Sequence, residues 1–151
     1  MKADDAKMPH TPLLIDGQVH TDERGEIRFA NEVSLAPVKR FYTIANKSTT
    51  LVRAWQGHKI EAKYLFAVNG SFLVAAVQLN DLKNPSPDLI AQRFVLKADT
   101  PQILFIPAGY ANGVRALSDR NLLMVFSTLD LQESINDTYR YPKNLWCDWS
   151  L

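Results

Sequence analysis

His58 is the side chain here best suited to move a proton near neutral pH, because an unperturbed imidazole titrates in that range. It lies within Arg53-Ala54-Trp55-Gln56-Gly57-His58-Lys59-Ile60-Glu61-Ala62-Lys63. In that run Arg53 and Lys63 can pair with an anion, Arg through its planar fork. Gln56 can hydrogen-bond a ligand but cannot carry a proton. A second run, Ile106-Pro107-Ala108-Gly109-Tyr110-Ala111-Asn112-Gly113, sets Tyr110 in a Pro-Gly loop, and such loops often carry binding residues. Plainer readings stay open beside these. His58 could be a satisfied core histidine, Gln56 a structural hydrogen-bonding group, Lys63 a solvated strand-edge lysine and Tyr42 an aromatic filling a sheet. His10 and His20, in a turn-rich N-terminal region, read as surface residues. Cys147, the single cysteine, excludes an intramolecular disulfide framework and a cysteine-rich zinc module, and reads as a buried, inert thiol.

Strands must position these residues, because no long stretch sustains a helical period. Short apolar or alternating runs, separated by Gly, Pro, Asn and Asp, predict strands at 25–29, 38–44, 50–56, 64–69, 71–79, 90–96, 102–106, 113–116 and 121–128. If Gln56 and His58 share a strand, they face the same side, and Trp55 packs on the other. Asn69-Gly70 is the best short-range hairpin signal. Residues 80–88, with two prolines, read as a long surface loop. Gly70 and Gly109 serve backbone geometry. The pattern indicates an all-β sandwich or barrel, with a jelly roll among its common forms. The 151 residues, 46% hydrophobic and 22% charged, suit a single domain, residues 1–151, with an N-terminal arm at 1–20 and an aromatic segment at 131–151. Tyr141, Trp146 and Trp149 in that segment are expected to pack on the body or on a partner subunit. A net charge of +1 offers no strong field for nucleic acid or an anionic membrane. The apolar run from Phe72 to Val77 is too short to cross a bilayer, and the opening residues have no secretion-type apolar core, so a soluble cytoplasmic protein is expected.

The two runs resemble the signature segments of the cupin superfamily, a small jelly-roll barrel also described as a double-stranded β-helix. The family pattern is H-x-H followed by Glu and Gly, then P-x-G-x-x-H. Gln56 and His58 fall at the two histidines, Lys63 at the glutamate and Gly70 at the glycine. Pro107 and Gly109 match the second segment, and Asn112 replaces its histidine. A stable transition-metal site needs roughly three or four His, Cys or carboxylate ligands. Gln56 and Asn112 are weak neutral donors, Lys63 is a cation, and Glu61 with His58 falls short, so no catalytic metal and no other cofactor is expected.

Within the superfamily the chain resembles metal-free enzymes of deoxysugar synthesis. The run from Arg53 to Lys59 is similar to the R-G-x-H-A-H-K of dTDP-sugar 3,4-ketoisomerases, and Lys39-Arg40-Phe41-Tyr42-Thr43-Ile44 to their K-R-x-Y-x-I. Asp22-Glu23-Arg24-Gly25 looks like their D-x-R-G turn. The segment 106–113, followed by Leu117-Ser118-Asp119, is similar to one in dTDP-4-dehydrorhamnose 3,5-epimerases, which have His at the Asn112 position and a catalytic Tyr at that of Val125. The resemblance implies an epimerase or ketoisomerase of a nucleotide-linked 4-keto-6-deoxy sugar, dTDP-linked by preference and homodimeric. Such an enzyme removes a proton beside the C4 carbonyl, stabilises an enolate and returns the proton elsewhere. It implies His58 as base and Tyr42 or Tyr110 as the returning acid, with Arg53, Gln56, Lys63, Asn112 and Arg115 binding substrate. The departures at Gln56, Asn112 and Val125 keep a second reading open: a cupin that binds a sugar nucleotide or other small ligand without turning it over.

Overall fold

The computed structural model describes residues 8–151. Among these described residues, twelve strands and one short helix follow one another as β1 (Leu13–Asp16), β2 (Gln18–Asp22), β3 (Gly25–Phe29), β4 (Arg40–Ile44), β5 (Val52–Gly57), β6 (Lys63–Asn69), β7 (Ser71–Gln78), β8 (Gln92–Lys97), β9 (Gln102–Ile106), β10 (Tyr110–Ala116), β11 (Leu122–Ser127), α1 (Leu131–Asn136) and β12 (Tyr139–Arg140). Two five-stranded sheets form, β1-β9-β6-β11-β4 and β12-β5-β10-β7-β8, with β2 and β3 in a separate hairpin. Every pairing is antiparallel. The all-β expectation is met. Among the described residues, no helix is long and apolar enough to cross a membrane.

Alternation along the strands sorts side chains into three layers. Leu65, Leu104 and Val125 of the first sheet meet Val74, Ala76 and Val114 of the second in a buried inner core. The outer face of the second sheet buries Trp55, Ala75 and Val77 under Trp146, with Tyr141 and Trp149 beside it. The outer face of the first buries Tyr64, Ile103 and Phe105 under the chain that carries Val33 and Val38.

Two expectations about connections are corrected. Asn69-Gly70 makes no hairpin, because β6 and β7 belong to different sheets and the turn carries the chain from one to the other. Gly70 takes φ 70°, and a Cβ there would sit 2.1 Å from Arg120 O, so the crossing requires glycine. The N-terminal arm is also shorter than expected, since β1 pairs with β9 and β2 begins the separate hairpin. β1 is an exposed edge strand of only four residues, too short and too solvated for a clear alternating signal. The part of the arm at residues 1–7 lies outside the described residues.

Candidate active site

Register places the chemistry-bearing residues of the first sheet in two adjacent rows. Val125 pairs with both Tyr42 and Leu65, and two residues along the strands Ser127 pairs with both Arg40 and Lys63. On the second sheet Asn112 pairs with Gln56 and Val114 with Arg53. Two steps along β10 thus match three along β5, a β-bulge that lets Arg53 and Gln56 address the same cavity despite their odd spacing. Between the sheets lies a cavity of about 590 Å³, lined by Tyr42, Arg53, Gln56, Lys63, Asn112, Arg140 and Tyr141 among apolar residues such as Ile44, Leu65 and Val125. Arg53 and Arg140 are exposed to solvent, whereas Lys63 is 4% exposed. A smaller recess of about 240 Å³ shares Tyr42, Gln56 and Lys63 and runs toward Ser134 and Thr138.

Behind Lys63 stands a buried charge network centred on Glu61, whose side chain is fully enclosed. Its Oε1 accepts hydrogen bonds from the Ser127 and Ser134 hydroxyls and lies 3.5 Å from Arg40 Nη2. Its Oε2 lies 3.0 Å from His58 Nδ1 and 3.9 Å from Lys63 Nζ. Burial alone would raise the Glu61 carboxyl, but the His58 N–H, the Lys63 charge and the Ser127 hydroxyl outweigh it and hold the group down at about 2. Burial pushes the Lys63 ammonium below the ordinary lysine value and Arg40 adds to this, while Glu61 opposes it. Tyr42 is pushed up to about 12 by burial and then by the Glu61 charge, against Arg40, whose guanidinium sits 5.0 Å from the ring centre. Tyr42 therefore remains a proton donor at every physiological pH.

The sequence-derived candidates divide into two groups. Tyr42, Arg53, Gln56, Lys63 and Asn112 converge on the cavity. His58, Tyr110 and Arg115 line neither it nor the recess. The condition for His58 to point beside Gln56, a shared strand, is not met, because β5 ends at Gly57 and His58 begins the turn toward β6. Its Nδ1 hydrogen-bonds Asp137 O at 3.1 Å, which puts a proton on Nδ1, and its Nε2 is buried without a partner among the described residues. Tyr110 is held in the inner apolar core, and burial raises its hydroxyl above the ordinary value. Arg115 ties Thr49 O at 2.6 Å to Trp149 O at 2.5 Å, a strap between two loops. Cys147 is half-buried rather than buried; desolvation raises its thiol.

Arg140 is a cavity residue that the sequence reading did not single out, and Tyr141, expected only to pack with the aromatic segment, lines the cavity too. They lie far along the chain and arrive only because β12 pairs with the edge of β5. Arg40 could have been found from its two-residue spacing to Tyr42, which puts both on one face of β4. The donor set at the cavity wall does not fit the divalent cation that many cupins hold. Gln56 and Asn112 supply neutral amides, and the third position is a lysine, Lys63, where a histidine or carboxylate ligand would be needed.

This architecture is that of the RmlC-like cupins. An RmlC epimerase from Mycobacterium tuberculosis has TM-score 0.74 at 20% identity, over 99% of this chain and 78% of that one. A dTDP sugar isomerase from Desulfovibrio desulfuricans gives TM-score 0.73 at 15% identity, over 93% and 91%. The QdtA sugar 3,4-ketoisomerase from Thermoanaerobacterium thermosaccharolyticum, solved with TDP, gives 0.67 at 20% identity, over 89% and 90%. No protein-family model matches the sequence, and no curated protein matches it.

Proposed function

We propose that this chain is a metal-independent epimerase or ketoisomerase of a nucleotide-linked 4-keto-6-deoxy sugar, acting beside the C4 carbonyl through an enolate. One observation carries the reading: a cavity holds a buried Lys63 amine near Tyr42 on one sheet and faces Gln56 and Asn112 on the other. Enolisation needs this combination of groups. Amide and ammonium donors can hold a ketone oxygen as it gains negative charge, and a hydroxyl can return a proton to carbon. At the solvent side, the guanidinium groups of Arg53 and Arg140 suit a diphosphate. Arg53 is oriented by Asn46 Oδ1, which accepts from its Nε at 2.7 Å. The fold neighbours, among them an epimerase and a ketoisomerase solved with TDP, support the same chemistry.

The test is incubation with dTDP-4-keto-6-deoxyglucose in D₂O, followed by NMR of the sugar protons. Deuterium is expected at C3 or C5, and the product separates epimerase from ketoisomerase. Sugar protons that persist through prolonged incubation, with the dTDP, UDP and GDP sugars alike and with binding still measurable, would favour a ligand-binding cupin without turnover.

A further inference from the structure

We propose that the Lys63 amine is the group that takes the proton from the substrate carbon. The inference deepens the preceding reading and rests on it. Two placements argue for it. His58 has both ring nitrogens buried outside the cavity: Nδ1 is committed to Asp137 O and Glu61, and Nε2 is sealed within the protein. Lys63, by contrast, lines the cavity and the recess, and no hydrogen-bond acceptor among the described residues occupies its Nζ. Of the ionisable side chains on the cavity wall, Arg53 and Arg140 are guanidinium groups with no basic lone pair, and burial raises the Tyr42 and Tyr141 hydroxyls, which leaves the Lys63 amine as the base.

In the step, the neutral Nζ lone pair takes the proton beside the carbonyl and becomes ammonium. The C–H electron pair becomes the enolate double bond, and the carbonyl electrons move to oxygen as negative charge. That enolate then regains a proton at carbon from the Lys63 ammonium, which restores the amine, or from the Tyr42 hydroxyl, in which case solvent takes the proton from Lys63 and returns one to Tyr42. The charged groups facing Nζ are Glu61 from the turn before β6 and Arg40 from β4; Tyr42 also stands on β4, Ser127 on β11 and Gln56 on β5. Burial and Arg40 favour the neutral amine, and Glu61 at 3.9 Å limits the effect.

A lysine that only stabilises enolate charge differs from one that moves the proton, and the variants separate the two roles. Lys63→Met and Lys63→Arg are compared with wild type for deuterium exchange, with dTDP affinity and circular dichroism as controls of the fold. Both are expected to lose exchange at least about 100-fold while binding dTDP within about fivefold of wild type. Lys63→Gly is expected to recover part of the rate with added methylamine, rising with the free-base concentration. Retention of exchange by the folded Lys63→Arg variant would overturn the proposal, because guanidinium supplies charge without a base. So would wild-type exchange by Lys63→Met. If either variant fails to fold, amine rescue of Lys63→Gly decides: rescue supports the proposal and its absence with dTDP bound overturns it. Wild-type protein that binds but never exchanges would sink the isomerase reading itself, and the assignment to Lys63 with it.

Discussion

Glu61 concentrates the electrostatics around the cavity, since one carboxylate meets His58, Lys63, Arg40, Ser127 and Ser134. Its folded value of about 2 lies below the ordinary 4.5, so ionisation favours the folded state. That contribution is present in full above the ordinary value and is lost as pH falls through the folded one. Between about pH 6 and about pH 2 the urea midpoint of the wild type should therefore fall more steeply than that of Glu61→Gln. Near neutral pH the substitution should cost about 3–5 kcal/mol, because it leaves the Arg40 guanidinium beside a neutral amide. Equal slopes for the two proteins in urea titrations across that range would contradict this account.

Among the elements, the turn between β5 and β6 is held from a distance. Asp137, the residue that closes α1, accepts backbone hydrogen bonds from Lys59 at 3.1 Å, Ile60 at 2.9 Å and Glu61 at 2.8 Å. Its N–H in turn closes the helix on Ser134 O at 3.1 Å. The helix start is fixed by Asp130, whose Oδ1 accepts from Glu133 N at 2.8 Å. Thus the short helix carries the acceptor that shapes the turn leading to Glu61 and Lys63. Asp137→Ala leaves these donors without a partner and should cost about 3 kcal/mol or more, whereas Asp137→Asn, which keeps one carbonyl oxygen, should cost less. Amide hydrogen exchange should locate the loss at residues 59–61; unchanged protection there would refute the assignment.

At the scale of the whole molecule, the C-terminal segment completes the second sheet's outer face. Trp146, 8% exposed, stacks edge-on against Trp55 at 5.5 Å and Tyr141 at 5.4 Å, and its indole donates to Ser86 O at 2.7 Å. Trp149 also meets Trp55, at 5.3 Å. The Trp146 backbone sits at φ 64°, an uncommon conformation for a residue with a side chain, sustained by this packing. Trp146→Ala should cost about 3–5 kcal/mol through the lost burial and the cavity it leaves. It should also weaken dTDP binding, because β12 carries Arg140 and Tyr141 to the cavity. A thermal midpoint within about 2 °C of wild type would show that the segment does not seal this sheet.

Several features were readable in the chain itself. Alternating runs bounded by turn residues specify strands locally, and the β3 and β9 boundaries match the expectation at 25–29 and 102–106. The resemblance to the cupin segments marked Gln56, Lys63 and Asn112, and all three line the cavity. Other features required three dimensions. Asn69-Gly70 carries a hairpin signal, but whether the strands it joins pair with each other depends on which sheet each enters, a long-range choice. The β5 bulge, which brings Arg53 to the same cavity as Gln56, exists only against β10. Arg140 reaches the cavity through an edge pairing across many residues of chain. The position of His58 turned on a single step: the strand ended at Gly57, and the carboxylates of Glu61 and Asp137 drew the imidazole into the wall. Local pattern determines what a residue can do and which face it favours; burial, pairing and the placement of charges belong to the tertiary structure, because they depend on groups distant in sequence.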